Sequence, residues 1–327
     1  MPRSMKKEEY PVPAAPDPRA ELIAGLRAPG PHISPKFLYD SLGSKLFEAI
    51  CELPEYYPTR IEAAIMRRYG ADIAAACGTG ATLIDLGAGN CAKAASLFPL
   101  LQPRQYVAVD ISADFVQDAV EQLRHRFPDI GMLAEGLDFS SDLALPAAVG
   151  AKQRLFFYPG SSIGNFSTDD ALGFLTRLRA RCDADGGLLI GIDLVKDAGT
   201  LTAAYDDALG VTAAFNLNIL RHVNTIAGTD FDLHDWGHRA FFNPLRSRIE
   251  MHLEARRDLT VRWPGGERYF VRGQSIHTEN SHKYTPDTVA AMLERTGWAI
   301  SGTWTDANEW FAVVHARPNA SAARKVS

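Results

Sequence analysis

Cysteine is scarce in this chain. Only Cys51, Cys77, Cys91 and Cys182 occur in 327 residues, and none stands in the CxxC spacing of a zinc or redox site. Four free thiols argue against a disulfide-built secreted scaffold and for a reducing cytoplasm. Excess positive charge is also lacking: 34 Lys and Arg against 39 Asp and Glu give a net charge of −5. No basic stripe of the kind nucleic-acid binding demands is expected. No apolar run approaches the ~20 residues of a membrane span, and the N-terminus has no signal-peptide core. His234 and His238 have the four-residue spacing of helical metal ligands, but Gly237 weakens a helix there and no third ligand accompanies them, so no metal is expected. Internal repeats are missing as well.

What is present is ordinary globular composition, 46% hydrophobic and 22% charged, with length for one large domain or two modest ones. Residues 1–36 hold eight of the nineteen prolines, and their first half reads as loosely ordered. An apolar face at helical spacing then runs from Phe37 to Leu53, and Thr59-Arg-Ile-Glu62 reads as a capping box opening a helix with Ile61, Ile65, Tyr69 and Ile73 on one face. Strands are expected at 82–86, 105–110, 130–135, 154–159 and 187–193, separated by amphipathic stretches such as 114–127 and 169–181. That rhythm implies a parallel sheet with helices on both faces, its ligand crevice at the carboxyl ends of the strands. Residues 196–284 break it. A helical region, 201–223, leads to alternating strands in which Ile249, Met251, Leu253 and Ala255 share a face, and a turn at Pro264-Gly265-Gly266 joins two more. This is an antiparallel unit inserted in the α/β core. A helix at 286–296 and strands near 298–305 and 310–315 close the chain.

The run Thr82-Leu-Ile-Asp-Leu-Gly-Ala-Gly-Asn90 places Gly87 and Gly89 after a buried strand, and a second apolar run ends in Asp110. A glycine turn lets backbone approach a ligand, and the following carboxylate suits ribose hydroxyls. Gly87-x-Gly89-x-x-Ala92 also fits the loose dinucleotide pattern, so the glycines alone leave the cofactor open. Asp85 would repel a pyrophosphate but can accept from a cationic amino-acid group. Asp138-Phe139 offers an acceptor and an aromatic face for adenine, and about eighty residues precede the first strand. These features favour S-adenosylmethionine (SAM) over a nicotinamide nucleotide. Cys91, beside the loop, reads as a packing residue.

Three further stretches are polar and aromatic. Leu53-Pro-Glu-Tyr-Tyr-Pro-Thr-Arg60 holds two tyrosines between prolines, Tyr158-Pro-Gly-Ser-Ser-Ile-Gly-Asn165 follows the fourth strand, and Thr278-Glu-Asn-Ser-His-Lys-Tyr284 is dense in hydrogen-bonding groups. Wall, turn and solvated loop are the plain alternatives for them. Together with Tyr39-Asp-Ser-Leu-Gly-Ser-Lys-Leu-Phe47, Gly191-Ile-Asp-Leu-Val-Lys-Asp197, Ala204-Tyr-Asp-Asp-Ala208 and Gly210-Val-Thr-Ala-Ala-Phe-Asn216, the proline-flanked tyrosines resemble the L-histidine Nα-methyltransferases of ergothioneine biosynthesis, over about residues 20–316.

The resemblance implies a Rossmann-like SAM-dependent methyltransferase core (61–195 with 285–316), a second α+β substrate-binding domain (20–60 with 196–284), and loose ends at 1–19 and 317–327. It implies trimethylation of the α-amine of free L-histidine to hercynine. The sequence does not give the oligomeric state; a monomer is the expectation, and composition points to no nucleic-acid or membrane partner. Cofactor contacts would fall on Gly87, Lys93, Asp110, Asp138 and Phe139, to which the glycine pattern itself adds Gly89. Substrate contacts would fall on Tyr56, Asn165, Tyr205, Glu279 and Ser281, with Tyr39, Gly160 and Met251 nearby. Asn165 and Tyr205 would hold the α-carboxylate, and Tyr56, Glu279 and Ser281 the imidazole. Ser162 stands where that family often has threonine. No general base is implied, so positioning would carry catalysis, worth up to ~7–11 kcal/mol in favourable cases. A methyltransferase for another aromatic amino acid such as tryptophan, a reductase, and a non-catalytic cofactor-binding module are the alternatives.

Overall fold

The structure is a computed structural model and describes residues 17–139 and 143–319. Residues 1–16 and 320–327 of the expected loose ends lie outside these, but ordered structure begins earlier and ends later than expected, at Pro18 and Pro318. In chain order the helices and strands are α1 Pro18–Arg27, α2 Ser41–Cys51, α3 Tyr57–Cys77, β1 Thr82–Leu86, α4 Ala92–Leu101, β2 Gln105–Asp110, α5 Ala113–Arg126, β3 Gly131–Gly136, β4 Arg154–Tyr158, α6 Thr168–Ala180, β5 Gly187–Asp193, α7 Ala198–Ala203 and α8 Val211–Ala227. There follow β6 Trp236–Asn243, β7 Arg248–Ala255, β8 Leu259–Trp263, β9 Gly266–Phe270, β10 Ser275–His282, α9 Pro286–Arg295, β11 Trp298–Thr305 and β12 Phe311–Pro318.

Seven strands form one sheet in the order β11-β12-β5-β4-β1-β2-β3. β1 to β5 are mutually parallel; β12 is antiparallel to β5, and β11 to β12. Both faces are buried, and the two-residue period divides them. Ile84, Val107, Phe156 and Leu188 pack with Phe174 of α6 and Leu293 of α9. Leu83, Tyr106, Leu155 and Leu189 pack with Ile73 of α3, Phe98 of α4 and Val120 of α5. A sheet covered on both sides requires continuous apolar strands, which is why these segments carry little alternation in polarity. Chain direction diverges between β1 and β4, which opens a crevice above their carboxyl ends.

A separate apolar cluster joins α1, α2 and α8 to the sheets β10-β7-β6 and β8-β9. Residues 22–57 and 201–276 meet in it although the whole of β1 to β5 lies between them in sequence. The boundary expected at 60/61 falls inside the first turns of α3, a single helix from Tyr57 to Cys77.

Three expectations about helix ends are corrected. The apolar stretch 37–53 is broken into a 3-10 turn at Pro35–Leu38 and α2, because Asp40 caps α2 by accepting from Gly43 N at 2.7 Å. The helical region 201–223 is interrupted because Asp207 accepts from the amides of Val211 and Thr212 and so starts α8 afresh. There is no capping box at Thr59. α3 starts at Tyr57 with Pro58 in its first turn, and Glu62 is fully buried with other partners.

β10 contains a bulge between His277 and Glu279. Before it, Ile276 pairs with Leu253 on the buried face; after it, Glu279 pairs with Met251 and Ser281 with Ile249 on that same face. The extra residue, Thr278, is held by its hydroxyl donating to Met251 O at 3.0 Å. A bulge shifts side-chain parity by one, and here it turns Glu279, Ser281 and Lys283 inward together.

Asp40 Oδ1 also accepts from the buried amide of Asn218 on α8 at 2.7 Å. Asp40→Ala removes a cap and orphans that amide, so a loss of about 1–3 kcal/mol in urea unfolding is expected. An unchanged midpoint would show that the cap contributes nothing.

Candidate active site

Above the carboxyl ends of β1 to β4 lies a cavity of about 990 Å³. Gly87, Gly89, Lys93, Asp110, Asp138 and Phe139 all line it. Gly89 N donates to Asp110 Oδ2 at 2.9 Å and Ser112 N to Oδ1 at 2.9 Å, which fixes the carboxylate at the end of β2. Gly89 has φ +52° and open space where a Cβ would stand, so a ligand can lie directly on the turn. Phe139 is braced edge-on by Tyr158, ring centroids 5.9 Å apart.

Asp85 faces the same cavity from β1. Its Oδ2 accepts from Tyr106 OH at 2.8 Å, while Oδ1 is buried with no partner. Burial raises this carboxyl to about 7, with the Tyr106 bond opposing the rise. An unsatisfied buried acceptor at this place fits a donor or cation from the amino-acid part of SAM. Lys93, expected at the cofactor, reaches the cavity but spends its charge on Glu62, Nζ to Oε2 2.7 Å. The other Glu62 oxygen accepts from Gly160 N at 2.8 Å. Cys91 is buried beneath the glycine turn.

Three polar contacts bring the α1–α2 segment over this cavity. Lys36 Nζ lies 2.7 Å from Glu21 and 3.4 Å from Asp138. Ser112 Oγ donates to Tyr39 O at 2.9 Å, and Asn90 Nδ2 to Glu48 Oε1 at 3.0 Å.

A small second cavity, about 40 Å³, is lined by all eight residues expected at the substrate: Tyr39, Tyr56, Gly160, Asn165, Tyr205, Met251, Glu279 and Ser281. Tyr39, Tyr56, Gly160 and Asn165 line both cavities, so the small one opens on the large one. It can hold one end of a ligand whose remainder lies toward the glycine turn. Gly160, at φ +75°, turns the chain after β4 and leaves a Cβ position only 3.2 Å from Lys93 Nζ. Tyr56 and Tyr205 meet edge-on at 6.1 Å, and Phe215 packs against Tyr39 at 5.6 Å. Met251 is 1% exposed and forms part of the wall from β7.

The polar groups are bonded in pairs across the pocket. Asn165 Nδ2 donates to Glu279 Oε1 at 2.9 Å, and Tyr205 OH and Ser281 Oγ are 2.7 Å apart. The expected carboxylate-holding residues are therefore in direct contact with the expected imidazole-holding ones, instead of standing at separate ends. Burial raises the Glu279 carboxyl to about 7, against Lys283 and the Asn165 bond, which lower it. Burial likewise holds the Tyr39 and Tyr56 hydroxyls well above their ordinary value, so both stay protonated.

Sequence reasoning singled out neither Glu62 nor Tyr57, Asp193, Lys196 and Lys283. The signal available was an acid at the carboxyl end of β5, Asp193, in the same position on its strand as Asp110 on β2. His234 and His238 do not share a helix. His234 sits in an exposed 3-10 turn, while His238 lies on β6 and bonds Tyr205 O at 2.8 Å.

The profile of the histidine-specific, SAM-dependent methyltransferases matches residues 18–318. The chain belongs to this family. It is 40% identical over 294 residues to the histidine N-alpha-methyltransferase of Mycolicibacterium smegmatis, covering 88% of this chain and 91% of that one. The enzyme of the same name from Mycobacterium tuberculosis is 36% identical over 301 residues with the same coverage. Ergothioneine biosynthesis protein 1 of Neurospora crassa is 31% identical over 304 residues, 86% of this chain but 33% of that one. Family membership makes S-adenosylmethionine the cofactor.

Folded Glu279 keeps its proton to about pH 7, whereas the unfolded carboxyl loses it near 4.5. The folded state thus binds more protons in that window, and stability falls as pH rises through it. Glu279→Gln is expected to be more stable than wild type at pH 8, by on the order of 2–3 kcal/mol, and equal to it at pH 4.5. Thermal melts across pH check this; identical curves would mean that the carboxylate is not strained by burial.

Proposed function

We propose that this enzyme trimethylates the α-amine of free L-histidine to hercynine, the first step of ergothioneine biosynthesis. The observation that carries the reading is the small pocket: a buried carboxylate, a carboxamide and three tyrosines converge where it opens on the large cavity. The names of the similar enzymes support the same substrate. The segments 20–60 and 196–284 form the substrate-binding part in this proposal, and 61–195 with 285–316 the SAM-binding part. The enzyme is proposed to work as a cytoplasmic monomer; among the described residues no helix is long and apolar enough to cross a membrane.

When bound, SAM supplies an electrophilic methyl group. Gly87 and Gly89 would take the amino-acid side of the cofactor, Asp110 its ribose hydroxyls, and Asp138 and Phe139 its adenine. On the substrate side, Glu279 is an acceptor for an imidazole N–H, and the Tyr205–Ser281 pair supplies a donor. Asn165 can donate one amide hydrogen to Glu279 and the other to the substrate carboxylate. Tyr56 stays with Glu279 and Ser281 at the imidazole, while Tyr39, kept neutral by burial, accepts from an amine without trapping it as an ion pair. That matters because an ammonium has no lone pair and must lose its proton first. Fixing both ends of a small amino acid holds the amine in one place through three successive transfers.

Phenylalanine offers no N–H to Glu279, and a buried carboxylate left unpaired costs several kcal/mol. Glu279→Ala is expected to lower kcat/KM for histidine at least about tenfold and to relax selection toward other aromatic amino acids. Competition between histidine and tryptophan reads this, and unchanged selectivity would remove Glu279 from the ring-binding role. The function itself is tested by mass spectrometry of the protein with SAM and the twenty amino acids. Histidine alone gaining three methyl groups is expected. Methylation of tryptophan instead would move the substrate assignment, and no product would leave a cofactor-binding module.

A further inference from the structure

Behind the small pocket lies a buried ionic cluster with no role in the function proposed above. Lys283, 3% exposed, uses all three of its protons: 2.7 Å to Asp193 Oδ2, 2.8 Å to Ser281 Oγ and 3.1 Å to Tyr205 OH. Asp193, 1% exposed, also accepts from Tyr57 OH at 2.7 Å and from Lys196. Lys196 donates in addition to Tyr57 OH at 2.8 Å and Leu194 O at 2.6 Å. Two ammonium groups therefore share one carboxylate; burial lowers Lys196 to about 8, so below that pH the cluster carries a surplus positive charge in a place where charge is expensive. The next carboxylate on the same face of β10 is Glu279, paired in register with Met251. The groups facing Glu279 are Asn165, Tyr39, Tyr56, Tyr205 and Lys283, and Lys283 is the only cation among them.

The hydroxyl pair has a fixed hydrogen count. Both oxygens accept from Lys283 and they bond to each other. One of the two O–H groups donates within the pair, so the other is always left to point elsewhere. A lysine beneath the pair thus makes it a donor toward the pocket whichever way its internal bond runs.

We propose that Lys283 is a positioning residue for methyl transfer: it keeps one O–H of the Tyr205–Ser281 pair aimed at the substrate and balances an ionised Glu279 with its surplus charge. This rests on the histidine-methylating reading. It gives the site its acceptor and its donor at one pH: Glu279 sits at about 7 with Lys283 already lowering it, and without that charge burial would hold the carboxyl protonated further above neutrality.

The test is steady-state kinetics of wild type, Lys283→Met and Lys283→Arg, with histidine and SAM varied separately from pH 6 to 9. In the methionine variant Asp193 keeps Lys196 and Tyr57, so the buried carboxylate stays paired. That variant is expected to raise KM for histidine about tenfold or more, to leave KM for SAM within about twofold, and to move the acidic limb of kcat/KM for histidine upward by about one pH unit. Lys283→Arg keeps the charge and changes the geometry, so the acidic limb stays while KM for histidine rises. A methionine variant with wild-type KM and an unmoved limb would overturn the proposal, as would losses shared equally by both substrates in both variants. For a methionine variant that does not fold, the arginine variant decides alone, and an unchanged histidine KM overturns the role. Absence of wild-type turnover on histidine would instead overturn the functional reading on which this one rests.

Discussion

The bulge in β10 sets the parity of everything downstream of it. Ile276 faces the apolar cluster by ordinary alternation. With the pleat continued unbroken, Glu279, Ser281 and Lys283 would face outward with Glu250 and Arg248 of β7. Thr278 occupies the extra position and puts three polar side chains on the face where only apolar ones preceded them. Burying them is tolerable because each finds a partner: Asn165 for Glu279, Tyr205 for Ser281 and Asp193 for Lys283. Those partners come from the loop after β4, the loop between α7 and α8, and the end of β5. The re-phased strand is thus the seam along which the inserted antiparallel unit and the doubly covered sheet are held in register.

α3 is a second seam. Its first turn contributes Tyr57 to the Asp193 cluster, and its second contributes Glu62, which holds Gly160 N and Lys93 at the boundary of the two cavities. Its remaining length packs Ile65 and Ile73 under the seven-stranded sheet. A single helix thereby links the residues behind the small cavity to the loop that separates it from the large one.

Much of this was legible in the sequence. The parallel strands announced themselves as short apolar runs, and Asp85, Asp110 and Asp138 marked strand ends without any resemblance to known proteins. Position along a strand is a local property, so local pattern carries it. The inserted unit was equally visible, from the alternation at 248–255. What local pattern does not carry is a partner far away in sequence. Glu62 looked like a capping residue because Thr59 stood three residues before it, yet its partners are 31 and 98 residues away. Lys283 looked like part of a solvated loop, since one bulged residue is enough to invert which face a polar side chain occupies. The pairing of Asn165 with Glu279, 114 residues apart, was likewise out of reach, and the roles expected for them placed them at separate ends of the substrate.

The bonded pairs that line the small pocket have a consequence for how it discriminates. Its donors and acceptors are partly spent on one another: Glu279 already accepts from Asn165, while the Tyr205–Ser281 pair keeps one O–H to give, so an incoming amino acid must compete for one bond and complete another. An intruder of suitable size but without ring nitrogens gains only contact area, while the internal pairs it pushes apart have nothing to bind. For histidine, the substrate proposed above, each displaced bond would be replaced by one from its own ring or carboxylate. Selection in such a pocket works as a swap of equal partners, and the penalty for the wrong guest falls on the host.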